Sequence, residues 1–257
     1  MHRANVYLRG DCPIARFGGR YAPPRDFGAW TFCPIANGST IFSVGIGNDA
    51  TFDTTVLRRF GARVSCFDPT LLHREFEELL LDSKRGANPP LSPVERSLIR
   101  FFPFGLAAND DVLQFWRNPK YTVMASALRK SHKEGQTSIM VPVLRMKTLM
   151  QVAGVKHVDV LKVDIEGSEY GLFSHVGARA WLGDARFAPL QINVEFHGNN
   201  LDVPANRSKN EYAAMLRATE LNALRSCGYM VRYQHSDDSW LMVRAGPPTQ
   251  QCTGQLK

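Results

Sequence analysis

Leu161-Lys162-Val163-Asp164-Ile165-Glu166-Gly167-Ser168-Glu169 is the stretch that decides how the rest of this chain is read. Its first residues complete a Val- and Leu-rich run, Val158–Val163, the pattern of a strand covered on both faces. The run then breaks into carboxylates around Gly167. In open α/β sheets ligands sit in the crevice beyond the carboxyl ends of the strands. Asp164 and Glu166 are therefore expected at such a crevice. Glu166 and Gly167 would lead into a helix starting near Ser168, with Glu169 as a carboxylate of its first turn.

Working outward, the same alternation recurs on both sides. Thr40–Val44 reads as a short buried strand ending at Gly45. Asp49 and Thr51 can cap a helix whose Phe52, Val56, Leu57 and Phe60 share one face and which Gly61 stops. Arg63–Phe67 is a second strand, ending at Asp68-Pro69, and Leu72, Phe76, Leu79 and Leu80 form the stripe of the next helix. Residues 84–93 read as a loop and Arg100–Gly105 as a third strand, weakened by Pro103. Val112–Trp116 and Ser138–Leu144 read as additional strands or an insertion, and Lys147–Val152 as a short helix. Gln191–Phe196 is a further strand, Glu211–Ser226 a helix, and Tyr229–His235 with Trp240–Arg244 a closing hairpin.

Strands alternating with helices imply an α/β fold. Its sheet is mostly parallel with helices on both faces, about seven strands in all, and closes on a C-terminal antiparallel hairpin. The expected organisation is an irregular leader or lid over residues 1–38, one domain over 39–246 and a flexible tail over 247–257.

Composition narrows the class. With 44% hydrophobic and 21% charged residues, the chain has the material for a sizeable core. Lys and Arg number 31 against 24 Asp and Glu, but the basic residues are dispersed in pairs such as Arg58-Arg59. That pattern is a solvated basic surface rather than a nucleic-acid platform. The five cysteines include no CxxC pair, which argues against structural zinc. Cys66 reads as a core residue, and Cys12 and Cys33 are able to pair in an oxidising compartment. The N-terminus lacks a signal-peptide core and no long apolar run marks a transmembrane helix. The expectation is a cytoplasmic protein, or one of the secretory-pathway lumen if an N-terminal anchor has been trimmed. The oligomeric state stays open.

Val44-Gly45-Ile46-Gly47-Asn48-Asp49 lies between strand and helix, where a nucleotide-binding turn belongs. Gly45 and Gly47 permit a tight turn and close ligand approach, and the helix start offers free N–H groups. Asp68, followed by Pro69, is placed to accept hydrogen bonds from ribose hydroxyls. The third glycine of a dinucleotide fingerprint is missing, and Asp49 directly after the turn would repel a pyrophosphate. A ligand carrying an ammonium and a sulfonium reverses that sign, which favours S-adenosyl-L-methionine over NAD. After the third strand, Ala108, Asn109 and Asp110 are the candidates for the adenine, or an ordinary surface turn.

These residues resemble the FkbM-like methyltransferases, whose hallmark LKxDxEGxE matches Leu161-Lys162-Val-Asp164-Ile-Glu166-Gly167-Ser-Glu169. Val44–Gly47 with Phe52-Asp53 looks like their glycine motif, Cys66–Thr70 like their ribose strand, and Gln191–His197 like their fifth strand. Arg16-Phe-Gly-Gly19 and Phe27–Cys33 are similar to their leader, with Ala29 where a second glycine is usual. The likeness runs over roughly residues 16–235. It implies a Rossmann-like class I methyltransferase with a seven-stranded sheet, S-adenosylmethionine as donor, and usually an oxygen acceptor. The acceptor would be a hydroxyl on a small molecule or glycan.

At the carboxyl edge the candidate catalytic residues are Asp164, Glu195 and His197. Asp164 could hold the methionine ammonium or the acceptor hydroxyl, and Glu166 could orient the loop or the donor. His197 is the first choice as general base, with an ordinary pKa near 6.5. Glu195 could pair with Lys162 beneath the site. Alternatively, Asp164 and Glu195 could take a divalent cation, although no metal site is assigned. The competing readings are an NAD or sugar-nucleotide enzyme, an RNA-binding methyltransferase, and a catalytically silent cofactor-binding module.

Overall fold

The computed structural model describes residues 12–19, 28–118, 121–126, 137–198, 201, 203–235 and 239–253. Thr40–Val44 (β3) is buried throughout, as the unbroken run of β-formers requires. The helix Thr51–Phe60 (α1) follows it, burying Phe52, Val56 and Leu57 and ending at Gly61, whose left-handed φ of 54° closes the last turn. Arg63–Phe67 (β4), His73–Leu81 (α2), Pro93–Ser97 (α3) and Ile99–Phe102 (β5) repeat the strand–helix unit. Pro103 stands just beyond β5, where no ladder donor is needed.

The chain then builds an insertion: Gly105–Leu106 (β6), Asp111–Asn118 (β7), Tyr121–Ser126 (β8) and Thr137–Leu144 (β9), a four-stranded sheet of order β6-β9-β7-β8. Met146–Ala153 (α4) leads back to Val160–Val163 (β10), then Val176–Leu182 (α5), Gln191–Glu195 (β11) and Lys209–Ser226 (α6). Tyr229–Gln234 (β12), Ser239–Arg244 (β13) and Gln250–Thr253 (α7) complete the fold.

The main sheet has seven strands in the order β12-β13-β11-β10-β3-β4-β5. β11, β10, β3, β4 and β5 are parallel, and β13 runs antiparallel to both β11 and β12. The order reverses about β3, whose neighbours are β4 on one side and β10 on the other. This is the place where connections leave a crevice at the carboxyl ends. One core gathers Phe42, Val44, Leu161, Val163, Ile192 and Val194 with α4 to α6, and a second gathers Ile41, Val64 and Val160 with α1 and α2.

Four expectations need correcting. The leader is not irregular where it is described: Ala15–Phe17 (β1) and Trp30–Phe32 (β2) form an antiparallel pair. Phe32 is fully buried and stacks on Phe17 at 4.4 Å between ring centres, while Gln191 and Asn193 of β11 bond the Cys33 and Thr31 backbone. No helix starts near Ser168: residues 166–174 are turns, and α5 begins at Val176. The count of about seven strands holds only for the main sheet, because the insertion and the β1–β2 pair add six more. Finally, the segment after Gly246 is held as far as Thr253. Cys252 is bonded to Cys227, and the Thr249 N–H and hydroxyl both donate to the Ser226 carbonyl.

Candidate active site at the carboxyl edge

Two constructions meet where β3, β4, β10 and β11 end. The first is the turn after β3. Gly45 takes φ 78°, and a Cβ built on it would lie 1.6 Å from the Asp164 carbonyl oxygen. Only glycine lets the turn rest on the backbone that follows β10. Gly47 takes φ 56°, yet a Cβ there would meet nothing within 4 Å. Among the described residues its outward side is open.

Asp68, at the end of β4 and only 4% exposed, holds this turn from behind. Its Oδ2 accepts the N–H groups of Ile46 (3.1 Å) and Gly47 (2.9 Å). Its Oδ1 accepts the Thr70 N–H (2.9 Å) and hydroxyl (2.6 Å). Four donors fill the capacity of a carboxylate. The residue expected to reach a ribose is thus, in this geometry, the clamp that shapes the turn. Pro69 beside it is half-buried, packing toward Gly105.

Asp49 caps α1 one position earlier than the formal cap, Ala50. Its Oδ1 accepts the Thr51 N–H and hydroxyl, at 2.9 and 2.6 Å. The leader closes over the same point: Gly19 N–H donates to the Thr51 hydroxyl, and a Cβ on Gly28 would fall 2.4 Å from Asp49 Oδ2. Asn48 is half-buried within the turn. Phe52, expected at the cofactor, is 2% exposed and packs edge-to-face on Phe32 in the second core.

Ala108 is half-buried, while Asn109 and Asp110 are exposed on the way into the insertion. Asp110 accepts the Arg145 N–H and the Thr148 hydroxyl, and so holds the start of α4.

The second construction is a charged cluster. Asp164 follows β10, Glu195 ends β11, and His197 stands two residues on. His197 Nε2 lies 3.7 Å from Asp164 Oδ1 and 4.0 Å from Glu195 Oε1. Its other nitrogen, Nδ1, is 3.0 Å from Glu169 Oε1. Glu169 is fully buried, and its two oxygens also accept the N–H groups of Ile165 and Gly167. The carboxylate expected to hold a helix start therefore closes the 165–167 loop on itself and orients the imidazole. Glu166, between those N–H groups, has φ 55°, uncommon for a residue with a side chain.

Lys162, 5% exposed, underlies both constructions. Its ammonium donates to the Gly45 carbonyl, lies 3.7 Å from Asp164 Oδ2 and sits 4.9 Å over the Trp30 ring. Asp164, rather than Glu195, is thus its ion-pair partner. A lysine inside an otherwise apolar strand was the sequence signal for this role.

The cluster's titration follows from its charges. Burial pushes the Glu195 carboxyl up, the Asp164 charge adds to this, and its pKa reaches about 7 despite His197 and Lys162. Burial lowers that of His197, but the hydrogen bond to Glu169 and the charges of Glu169, Asp164 and Glu195 outweigh it and raise it to about 10. His197 therefore does not keep the ordinary value near 6.5 expected of it as a base. With the cluster as it stands, it carries a proton at neutral pH.

A family model described as the methyltransferase FkbM domain matches residues 39–231, from just before β3 into β12. No curated protein matches the chain. Among solved structures, a fibrillarin pre-rRNA processing protein of Methanococcus jannaschii is 12% identical, with a TM-score of 0.43. The similarity covers 84% of this chain and 70% of that one.

Proposed function

The chain belongs to the FkbM-domain methyltransferase family, and on that premise we propose that it is an S-adenosylmethionine-dependent O-methyltransferase of the Rossmann-like class I type. The acceptor is a hydroxyl on a small molecule or glycan. One observation carries the reading: a glycine turn whose outer side is open among the described residues rests, through Gly45, on the backbone of Asp164, the first residue of the charged cluster. Donor and acceptor sites are then neighbours.

The residues fit a cationic donor. Asp49 and Asp164 supply negative charge around the turn, which suits an ammonium and a sulfonium and opposes a pyrophosphate. When bound, S-adenosylmethionine supplies a methyl group whose bond to sulfur breaks with the electron pair leaving on sulfur. The chain's part is alignment and proton removal. Gly45, Gly47 and Asn48 shape the donor's seat, and Asp68 holds that seat in place. Asp164 and Glu195 receive the acceptor hydroxyl, and a carboxylate oxygen of the pair takes its proton as the oxygen attacks the methyl carbon. The protonated His197 contributes positive charge beside the developing alkoxide.

Cys12–Cys33 and Cys227–Cys252 are both bonded, and the remaining Cys66 is buried. Such pairing favours an oxidising compartment over the cytoplasm expected from the sequence. No helix among the described residues is long and apolar enough to cross a membrane.

The test is transfer of a labelled methyl group from S-adenosylmethionine to a panel of sugars, glycans and polyols, with S-adenosylhomocysteine formation as readout. Binding of NAD or a sugar nucleotide with no affinity for S-adenosylhomocysteine would sink the reading. Cofactor binding with no transfer to any acceptor would leave a silent module.

A further inference from the structure

The geometry points to a divalent-cation site, of the Mn2+ or Mg2+ type, formed by Asp164, Glu195 and His197; the inference rests on the methyltransferase reading only for what the cation does. One ligand atom from each of these three residues can be chosen so that all lie within 4.8 Å of one another. Donors at such spacing can share one ion at ordinary metal–ligand lengths of about 2.0–2.6 Å. The three stand at or just beyond the ends of two adjacent parallel strands, β10 and β11, with the imidazole held from behind by Glu169, and they are half-buried, so solvent can still reach the site.

The histidine makes this more than a group of acids. Its Nδ1 faces Glu169, which is not one of the three and is fully buried. Glu169 is itself fixed by the Ile165 and Gly167 N–H groups. A carboxylate behind the imidazole fixes the tautomer with the proton on Nδ1 and aims Nε2 forward, the outer-shell support that metal-binding histidines have. Nε2 here is aimed at Asp164 and Glu195. Two carboxylate oxygens and one imidazole nitrogen suit a hard divalent ion that keeps waters in its remaining positions.

On binding, the cation takes the place of the proton on His197 Nε2, which goes to solvent. An acceptor hydroxyl can displace one metal-bound water. The cation then lowers that hydroxyl's pKa, and the free oxygen of Asp164 or Glu195 remains to take the proton. The positive charge supplied by the imidazolium in the bare cluster is then supplied by the ion.

The experiment uses the full chain, treated with a chelator, desalted and titrated with MnCl2 by calorimetry. One equivalent is expected to bind. Glu195→Gln and His197→Gln should each weaken binding at least tenfold, and Glu169→Gln by about tenfold. Asp111→Asn, at an exposed carboxylate, should leave it unchanged. A Mn2+-induced rise in melting temperature, present in the wild type and absent in His197→Gln, guards against misreading a variant that folds poorly. No Mn2+ or Mg2+ binding by the wild type would overturn the site. So would wild-type affinity in both His197→Gln and Glu195→Gln, which would mark an adventitious ion only. S-adenosylhomocysteine titrated into the same stripped protein separates the two readings. Its binding without any Mn2+ binding overturns the cation alone, whereas Mn2+ binding without it overturns the methyltransferase and leaves the cation site standing.

Discussion

The glycine turn and the charged cluster touch through Gly45 and the Asp164 carbonyl, yet they are built on opposite principles. In the turn every feature holds shape. The Asp68 carboxylate is filled by four donors, and Asp49 is tied to Thr51. In the cluster, three carboxylates converge on one imidazole, and the pKa values of Glu195 and His197 are driven far from ordinary. A site that only seats a ligand can satisfy its polar groups completely. A site that moves a proton or binds an ion has to leave charge exposed to a partner.

Substitutions can break or sharpen that contrast. The largest effect is expected at Gly45→Ala. The left-handed φ and the backbone contact both oppose a Cβ, so stability in urea should fall by about 3 kcal/mol or more, with S-adenosylhomocysteine binding lost. Next is Glu169→Gln. The amide leaves one of the two loop N–H groups, or His197, facing a donor, and urea melts should show a cost of about 2–3 kcal/mol. Asp68→Asn presents the same conflict to the turn. A cost of about 1–2 kcal/mol is expected there, read as a weaker cofactor affinity and a lower melting temperature. The smallest change belongs to Gly47→Ala. It strains the same turn through φ alone, about 1 kcal/mol, because none of the described residues stands near the new Cβ. If the Gly47 and Gly45 variants fell equally, the contact with Asp164 would not be what distinguishes them.

How far the sequence spoke depended on whether the signal was periodic. β3, α1, β4 and the β12–β13 hairpin were legible because buried strands and amphipathic helices repeat along the chain. A carboxylate after Gly167 fits the local pattern of a helix start, the role the sequence predicts for Glu169. Its side chain instead turns back to the loop and across to His197, a choice made by tertiary contacts. The hold on the C-terminal segment was equally hidden, since cysteine spacing does not disclose that Cys252 meets Cys227. Asp164, Glu195 and His197 could be named from their strand ends. The charge balance among them depends on the burial of Glu169 and Lys162, which no motif states.

The most direct measurement is calorimetric affinity for S-adenosylhomocysteine in three proteins: wild type, Asp68→Asn and Glu195→Gln. A turn that seats the donor and a cluster that serves the acceptor require tight binding by the wild type. Asp68→Asn should then bind about tenfold more weakly, and Glu195→Gln within about threefold of wild type. Absence of wild-type binding, or a loss in Glu195→Gln as large as that in Asp68→Asn, would contradict the account.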